Sequence, residues 1–216
     1  MPIIPPRLLQ ALARFNAAHP WDHNAHYHPW LLRQLPRRFD RSLDVGCGTG
    51  DLARLLTARA VQVHGIDSDP QIIARAREST APDAPVTFTV VDAASEDAGP
   101  YDVITCVAVL HHLPLPDTLT RFRHQLAPGG TLVIVGLAHE DTLLQQLLGA
   151  VSVPLNLAFG WVRNRGRTAP RPASMTAVTR QPEAGYREIA REARRILPGA
   201  RLRRRLFWRY TLVWRT

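Results

Sequence analysis

Three carboxylates close three short apolar runs in the first half of the chain: Asp44 after Leu43, Asp67 after Ile66, and Asp92 after Val90-Val91. An acid at a strand end sits on the edge of a sheet, where it can accept ligand hydroxyl or amino groups or pair with a cation. Asp44 leads into Gly46, Gly48 and Gly50, a G-x-G-x-G run closed by Asp51. Glycine there lets the backbone turn tightly and lets a ligand lie against main chain. The run lacks the G-x-G-x-x-G spacing of a dinucleotide binder. A carboxylate at position 51, where a helix opens, would compete with a pyrophosphate at that helix start. A cationic or zwitterionic ligand suits Asp44 and Asp51 better. Asp67 lies 17 residues after Gly50, the place from which an acid can accept both hydroxyls of a ribose. Asp92 is a fitting acceptor for an adenine amino group. Singly, each residue has a plainer reading as a turn, a cap or a packing glycine. Three acids on successive strand ends are far more specific.

Groups that could move a proton come next. His111 and His112 are adjacent within Val107 to Pro114, so from a regular strand or helix they cannot both face one pocket. His111 is assigned to the site as a general base, since an imidazole titrates near neutrality, and His112 is expected to be the packed ring. His23, Tyr27 and His28, in an N-terminal stretch dense in histidine and aromatics, are further candidates. For each of those, a solvated lid residue is the competing reading.

The elements that must position these groups alternate strand and helix, the pattern of a parallel, doubly wound sheet. Strands are expected at 42–46, 61–66, 86–91, 101–106 and 131–137. Helices are expected at 50–59, from Asp69-Pro70 to residue 78, and at 117–126, stopping at Pro128-Gly129-Gly130. Asp69 is read as the helix cap with proline at the first helical position. Ahead of the sheet, helices at 5–17 and 30–35 would form a cap. After it, the apolar run from Leu143 to Val162 reads as an amphipathic cap helix, because Gln145, Gln146, Pro154 and Asn156 interrupt it. A helix at 182–196 and two strands at 200–206 and 210–215 close the chain.

With these motifs in place, the chain resembles the class I S-adenosylmethionine-dependent methyltransferases over roughly residues 40–137. The resemblance implies a Rossmann-like seven-stranded sheet with its last strand antiparallel. It also implies one methyltransferase domain, with an N-terminal helical cap at 1–40, a cofactor core at 41–137, a substrate-cap insertion at 138–181 and a C-terminal helix and hairpin at 182–216. S-adenosylmethionine would be held by Asp44 at the methionine amino end, by Asp67 at the ribose and by Asp92 at the adenine. Gly46, Cys47, Gly48, Gly50, Ser68, Ala93 and Val107 complete that site. The segment after strand four reaches both cofactor and acceptor in this family. It lacks the Asn/Asp-Pro-Pro-aromatic run of amino-methylating nucleic-acid enzymes and the Pro-Cys pair of cytosine-C5 methylators. Some quinone-precursor O-methyltransferases hold a metal here, but Ala108 stands where a carboxylate would help, so no metal is expected.

Composition bounds the partners. All 27 basic residues are arginine. Residues 1–137 carry 12 arginines and 13 acids, whereas residues 138–216 carry 15 arginines and 5 acids. A basic third can serve nucleic acid, an anionic membrane surface or an acidic substrate, or be a solvated face. No RNA-binding motif accompanies it. The expected acceptor is a small, largely apolar molecule under a roof of Leu143, Leu147, Leu148, Val151, Leu155, Phe159 and Trp161, methylated at O, N or C. No specific nucleic acid is expected, and at most weak association with anionic surfaces. A peptide, protein or RNA methyltransferase, a non-methylating enzyme that keeps the cofactor, and a plain interaction module are the rivals. Two cysteines at strand ends and no uninterrupted apolar run of 18 residues suggest a reduced, cytoplasmic protein without a transmembrane segment.

Overall fold

The apolar, β-branched runs do become strands, and they alternate between two cores. Along the fifth strand, Leu132 and Ile134 pack into one cluster while Val133 and Val135 pack into the other. That pattern requires helices on both faces. The computed structural model describes residues 6–95, 98–139, 143–172, 175 and 180–216. The strands are β1 (Phe39–Val45), β2 (Ala60–Asp67), β3 (Val86–Val90), β4 (Tyr101–Val107), β5 (Leu126–Leu137), β6 (Arg201–Arg204) and β7 (Arg209–Arg215). They form one seven-stranded sheet in the order β3-β2-β1-β4-β5-β7-β6. The first five are parallel, and β7 runs antiparallel between β5 and β6. Chain direction across the sheet reverses between β1 and β4, which opens a crevice beyond their carboxyl ends.

The helices are α1 (Pro6–Ala18), α2 (His23–Leu32), α3 (Asp51–Leu56), α4 (Pro70–Glu78), α5 (Leu115–Gln125), α6 (Leu143–Arg163) and α7 (Tyr186–Ile196). Asp69 caps α4 as expected, accepting from the amides of Gln71 and Ile72 at 2.8 and 3.3 Å. Other boundaries differ for physical reasons. The second helix begins at His23 rather than near residue 30, because Asp22 Oδ1 accepts the Asn24 and Ala25 amides at 2.7 and 3.0 Å. It runs through Pro29, whose missing amide costs about 3 kcal/mol in a helix interior, and burial of Tyr27, His28 and Leu31 offsets that. β5 begins at Leu126, paired to Tyr101, so Pro128-Gly129-Gly130 lies within the strand, where the pairing shifts register, instead of stopping a helix. α3 ends at Leu56, and α7 begins at Tyr186 after Gly185.

α6 departs furthest from its expected role. Its inward stripe is polar or small. The Ser152 hydroxyl accepts the Phe207 amide at 2.9 Å. Asn156 Oδ1 accepts Trp21 Nε1 at 2.8 Å, its Nδ2 donates to Asn16 at 2.9 Å, and a Cβ at Gly160 would meet the His19 carbonyl at 2.4 Å. Leu147, Val151, Phe159 and Trp161 are exposed instead, Leu148 and Leu155 are half-buried, and the Leu143 side chain lies outside the described residues. Close backbone approach and a buried polar network fix this helix together with one aromatic contact, Phe159 stacked on Trp21 at 5.4 Å and against Phe207 at 5.5 Å. Among the described residues, no helix is long and apolar enough to cross a membrane.

Candidate functional site

A cavity of about 710 Å³ opens beyond the carboxyl ends of the parallel strands and is walled by α2, the segment after β4, Arg171, Met175 and Arg180. Asp44, Gly46, Cys47, Gly48, Asp67, Ser68, Asp92, Ala93, Val107, His23, His111 and His112 all line it. Gly50 and Tyr27 do not.

The three glycines serve three purposes. Gly46 has φ +66°, and a Cβ there would lie 2.0 Å from Val109 Cγ2, so this position is fixed by packing. Gly48 has φ +54° and nothing within 4 Å of a Cβ position, so its bareness faces open space that a ligand can use. Gly50, expected in the cofactor set, sits behind the loop with φ +79°, where a Cβ would meet the Phe88 ring at 2.6 Å. It starts α3 and does not touch the cavity.

Asp67 is not idle. Its Oδ2 accepts the Gly48 amide at 3.0 Å and its Oδ1 the Asp69 amide at 3.0 Å, which ties the glycine turn to the end of β2. Each oxygen keeps a lone pair, enough for a diol. Asp92 Oδ1 accepts the Ala94 amide at 2.8 Å. Asp51 lines the cavity, but its charge is already shared with Arg54 at 2.5 Å and it receives the Thr49 hydroxyl at 2.9 Å. The cationic-ligand argument therefore rests on Asp44. That carboxylate is 2% exposed and accepts the Thr105 hydroxyl at 2.7 Å. Burial pushes it up to about 7, against the pull of Thr105 and with the help of Asp67's charge. A buried carboxylate without a cationic partner beside a cavity is the partner a ligand ammonium requires. The Cys47 thiol is pushed far up by burial and neighbouring carboxylates, so it lines the wall as a neutral group.

After β4 the chain turns through Ala108, a non-glycine residue at φ +57°. That conformation costs about 1–2 kcal/mol, and nothing in the sequence announces it. It feeds a single 3-10 turn, Leu110–His112. Because this is neither a regular strand nor an α-helix, both histidines reach the cavity, with ring centroids 4.0 Å apart. The expected division of roles is corrected: His112 is the exposed ring, and His111 is half-buried with Nδ1 buried and unpartnered. Burial, then the charges of His112 and Arg209, push His111 down to about 4. It is a neutral imidazole at physiological pH and a weak base.

In α2, His23 Nε2 donates to Asn156 Oδ1 at 2.6 Å, which leaves Nδ1 as its basic nitrogen, and burial lowers its pKa. Tyr27, expected as a catalytic candidate, is excluded by its placement. Its hydroxyl donates to the Leu206 carbonyl at 2.7 Å, and burial raises it to about 12. Among the described residues, none of the apolar α6 side chains expected to roof the acceptor lines the cavity. Residues the sequence reading missed do: Asp22, Asn24, Met175, Arg171, Arg180 and Arg209. Nothing short of the tertiary structure distinguishes these arginines from the other basic residues of the C-terminal third.

The chain matches the family model for methyltransferase domains over residues 43–132. It is 31% identical over 209 residues to an uncharacterized methyltransferase of Mycobacterium tuberculosis, an alignment covering 91% of this chain and 97% of the relative. The chain is a class I S-adenosylmethionine-dependent methyltransferase. A ubiquinone biosynthesis O-methyltransferase of Escherichia coli is 35% identical over 140 residues, covering 56% of this chain and 58% of that one. Among solved structures, the N-methyltransferase NodS from Bradyrhizobium japonicum in complex with S-adenosyl-L-homocysteine superposes with a TM-score of 0.59 at 20% identity. That match covers 96% of this chain and 97% of NodS, and it shows that the methyltransferase shares the NodS fold.

Proposed function

We propose that this methyltransferase holds S-adenosylmethionine across the three strand ends and passes its methyl group to a small acceptor lodged between α2 and the His111 turn. The observation that carries this reading is the convergence of Asp44, Asp67 and Asp92 on one cavity beside the bare face of Gly48. The residues fit the cofactor. Asp44 suits the amino group, Asp67 keeps acceptor capacity for the ribose hydroxyls, and Asp92 for the adenine amine. Bound there, the cofactor supplies a methyl group already activated by its sulfonium charge.

The protein's own part is then alignment and exclusion of water. Val107 and the strained Ala108 form the wall after β4, and Asp22-capped α2 covers the cavity from the other side. The weakly basic His111 ring would take a proton only from an acceptor that gives it up readily. His23, anchored through Nε2, presents the second basic nitrogen. The name of the Escherichia coli relative, an O-methyltransferase of ubiquinone biosynthesis, supports a small-molecule acceptor. The test is transfer of labelled methyl from S-adenosylmethionine to a library of small hydroxy and amino acceptors. A protein that binds neither S-adenosylmethionine nor S-adenosylhomocysteine contradicts the reading.

A further inference from the structure

The cavity is divided by charge. Asp44, Asp67, Asp69 and Asp92 gather at the strand ends, while Arg171, Arg180 and Arg209 line the same cavity toward α2 and the histidines. The acids answer the ammonium, ribose and adenine of a zwitterionic cofactor. Arg180 already pairs with Glu183, whereas Arg171 and Arg209 have no carboxylate within ion-pair distance among the described residues.

Arg209 is the informative one. It opens β7 directly after a tight turn in which Phe207 and Trp208 both hold positive φ, +57° and +59°. Two bulky residues in the left-handed region are costly and persist only where the surroundings enforce them. The turn delivers a guanidinium to the cavity wall. Its Nη2 donates to Asn24 Oδ1 at 2.9 Å and its Nη1 to the Phe207 carbonyl at 3.3 Å, both neutral acceptors. Its Nε is buried without a partner. Among the described residues no carboxylate comes within ion-pair distance of it. Asp22, which also lines the cavity, commits Oδ1 to the α2 amides and supports the Arg209 charge only from beyond ion-pair distance. Burial lowers Arg209 to about 10, so it remains a cation at neutral pH. Its charge reaches both His23 and His111 and helps keep them neutral. A desolvated guanidinium with an orphaned donor is destabilising until an anion pairs with it. The fork geometry of arginine matches planar or tetrahedral oxyanions.

We propose that the methyl acceptor carries an anionic oxo group, a carboxylate or a phosphate, which Arg209 pairs with inside the cavity and which Arg180 and Arg171, both exposed, attract on entry. This rests on the methyltransferase reading above and names the chemical class of its acceptor. It also departs from the expectation of a largely apolar acceptor, since none of the described α6 residues expected as its roof lines the cavity.

The test uses the full chain saturated with S-adenosylhomocysteine, titrated with benzoate, phenyl phosphate and benzamide and followed by thermal midpoint and calorimetry. The anions should bind about tenfold or more tighter than benzamide, as charge-assisted hydrogen bonds do over neutral ones. The tighter of the two names the group. Arg209→Gln should remove that advantage while affinity for S-adenosylhomocysteine stays within about twofold, because the acids at the strand ends are untouched. Arg180→Gln, at an exposed position, should weaken anion binding less, and its effect should fade at about 0.5 M salt. If Arg209→Gln does not fold, Arg209→Lys, which keeps the charge but not the planar fork, carries the comparison and should lose part of the advantage. Benzamide binding as tightly as the anions overturns the proposal, and so does an anion advantage that survives undiminished in the Arg209 variant. Failure to bind S-adenosylhomocysteine at all would instead overturn the cofactor reading on which the proposal rests.

Discussion

Replacing Asp44 with asparagine should stabilise the cofactor-free protein in alkaline solution and disable it for binding. The side chain is buried and its carboxyl is displaced from an ordinary 3.8 to about 7, chiefly by burial. At about 1.4 kcal/mol per unit, ionising it in the fold costs about 4 kcal/mol relative to the unfolded chain. The sign follows from the direction. The folded state holds the proton longer, so this group's contribution is intact below about pH 4, declines as pH rises toward about 7, and is lost above it. Asparagine keeps an acceptor oxygen for Thr105 and carries no charge. Its own desolvation cost is the same at every pH and cancels when two pH values are compared. Between pH 5 and pH 8 the stability of Asp44→Asn relative to wild type should therefore improve by about 3 kcal/mol. For a chain of this size that is roughly 6–12 °C in thermal midpoint. Scanning calorimetry of both proteins without cofactor at the two pH values reads it directly. S-adenosylhomocysteine should then raise the midpoint of the wild type and leave that of the variant almost unmoved. A difference between the two proteins that does not change with pH would mean that Asp44 is not held protonated by burial.

The glycine turn and the histidine pair give two further outcomes. Gly46→Ala should fail to fold or melt far earlier, because its Cβ would overlap Val109. Gly48→Ala should fold at a cost of about 1–2 kcal/mol for its positive φ and lose most cofactor binding, as circular dichroism and titration together would show. His111→Ala should lower kcat by no more than about 10²-fold, the lower end for a general base. The pH–rate profile should show no His limb near 6.5, since His111 is already deprotonated there. His112→Ala, an exposed position, should leave the thermal midpoint unchanged.

Legibility in the sequence followed how local each feature is. The acids could be read because each one ends an apolar run, and strand and cap signals are carried by neighbouring residues. Asp69 as the α4 cap and Asp67 at the end of β2 both follow from that rule. α2 was hidden because Pro29 reads as a breaker, whereas burial of Tyr27 and Leu31 holds the helix together. α6 misled for the opposite reason. Most of its apolar residues imply an inward face, yet Ser152, Asn156 and Gly160, with Phe159 against Trp21, make the seating contacts, because close backbone approach and a buried amide network fix its position. The turn at Ala108, which lets both histidines reach one cavity, has no local signature at all. Arg209 belongs to the same class. Only the meeting of β7 with α2 singles it out.

The most direct test of the central claim is calorimetric titration of S-adenosylhomocysteine into wild type and Asp67→Ala at pH 8. Saturable 1:1 binding to the wild type is expected. Asp67→Ala should lose about 1.5–3 kcal/mol, since it forfeits hydrogen bonds to a charged group and the anchor of the Gly48 amide. That is a weakening of about 10- to 150-fold. Unchanged affinity in Asp67→Ala, or NAD binding the wild type more tightly than S-adenosylhomocysteine, would contradict that claim.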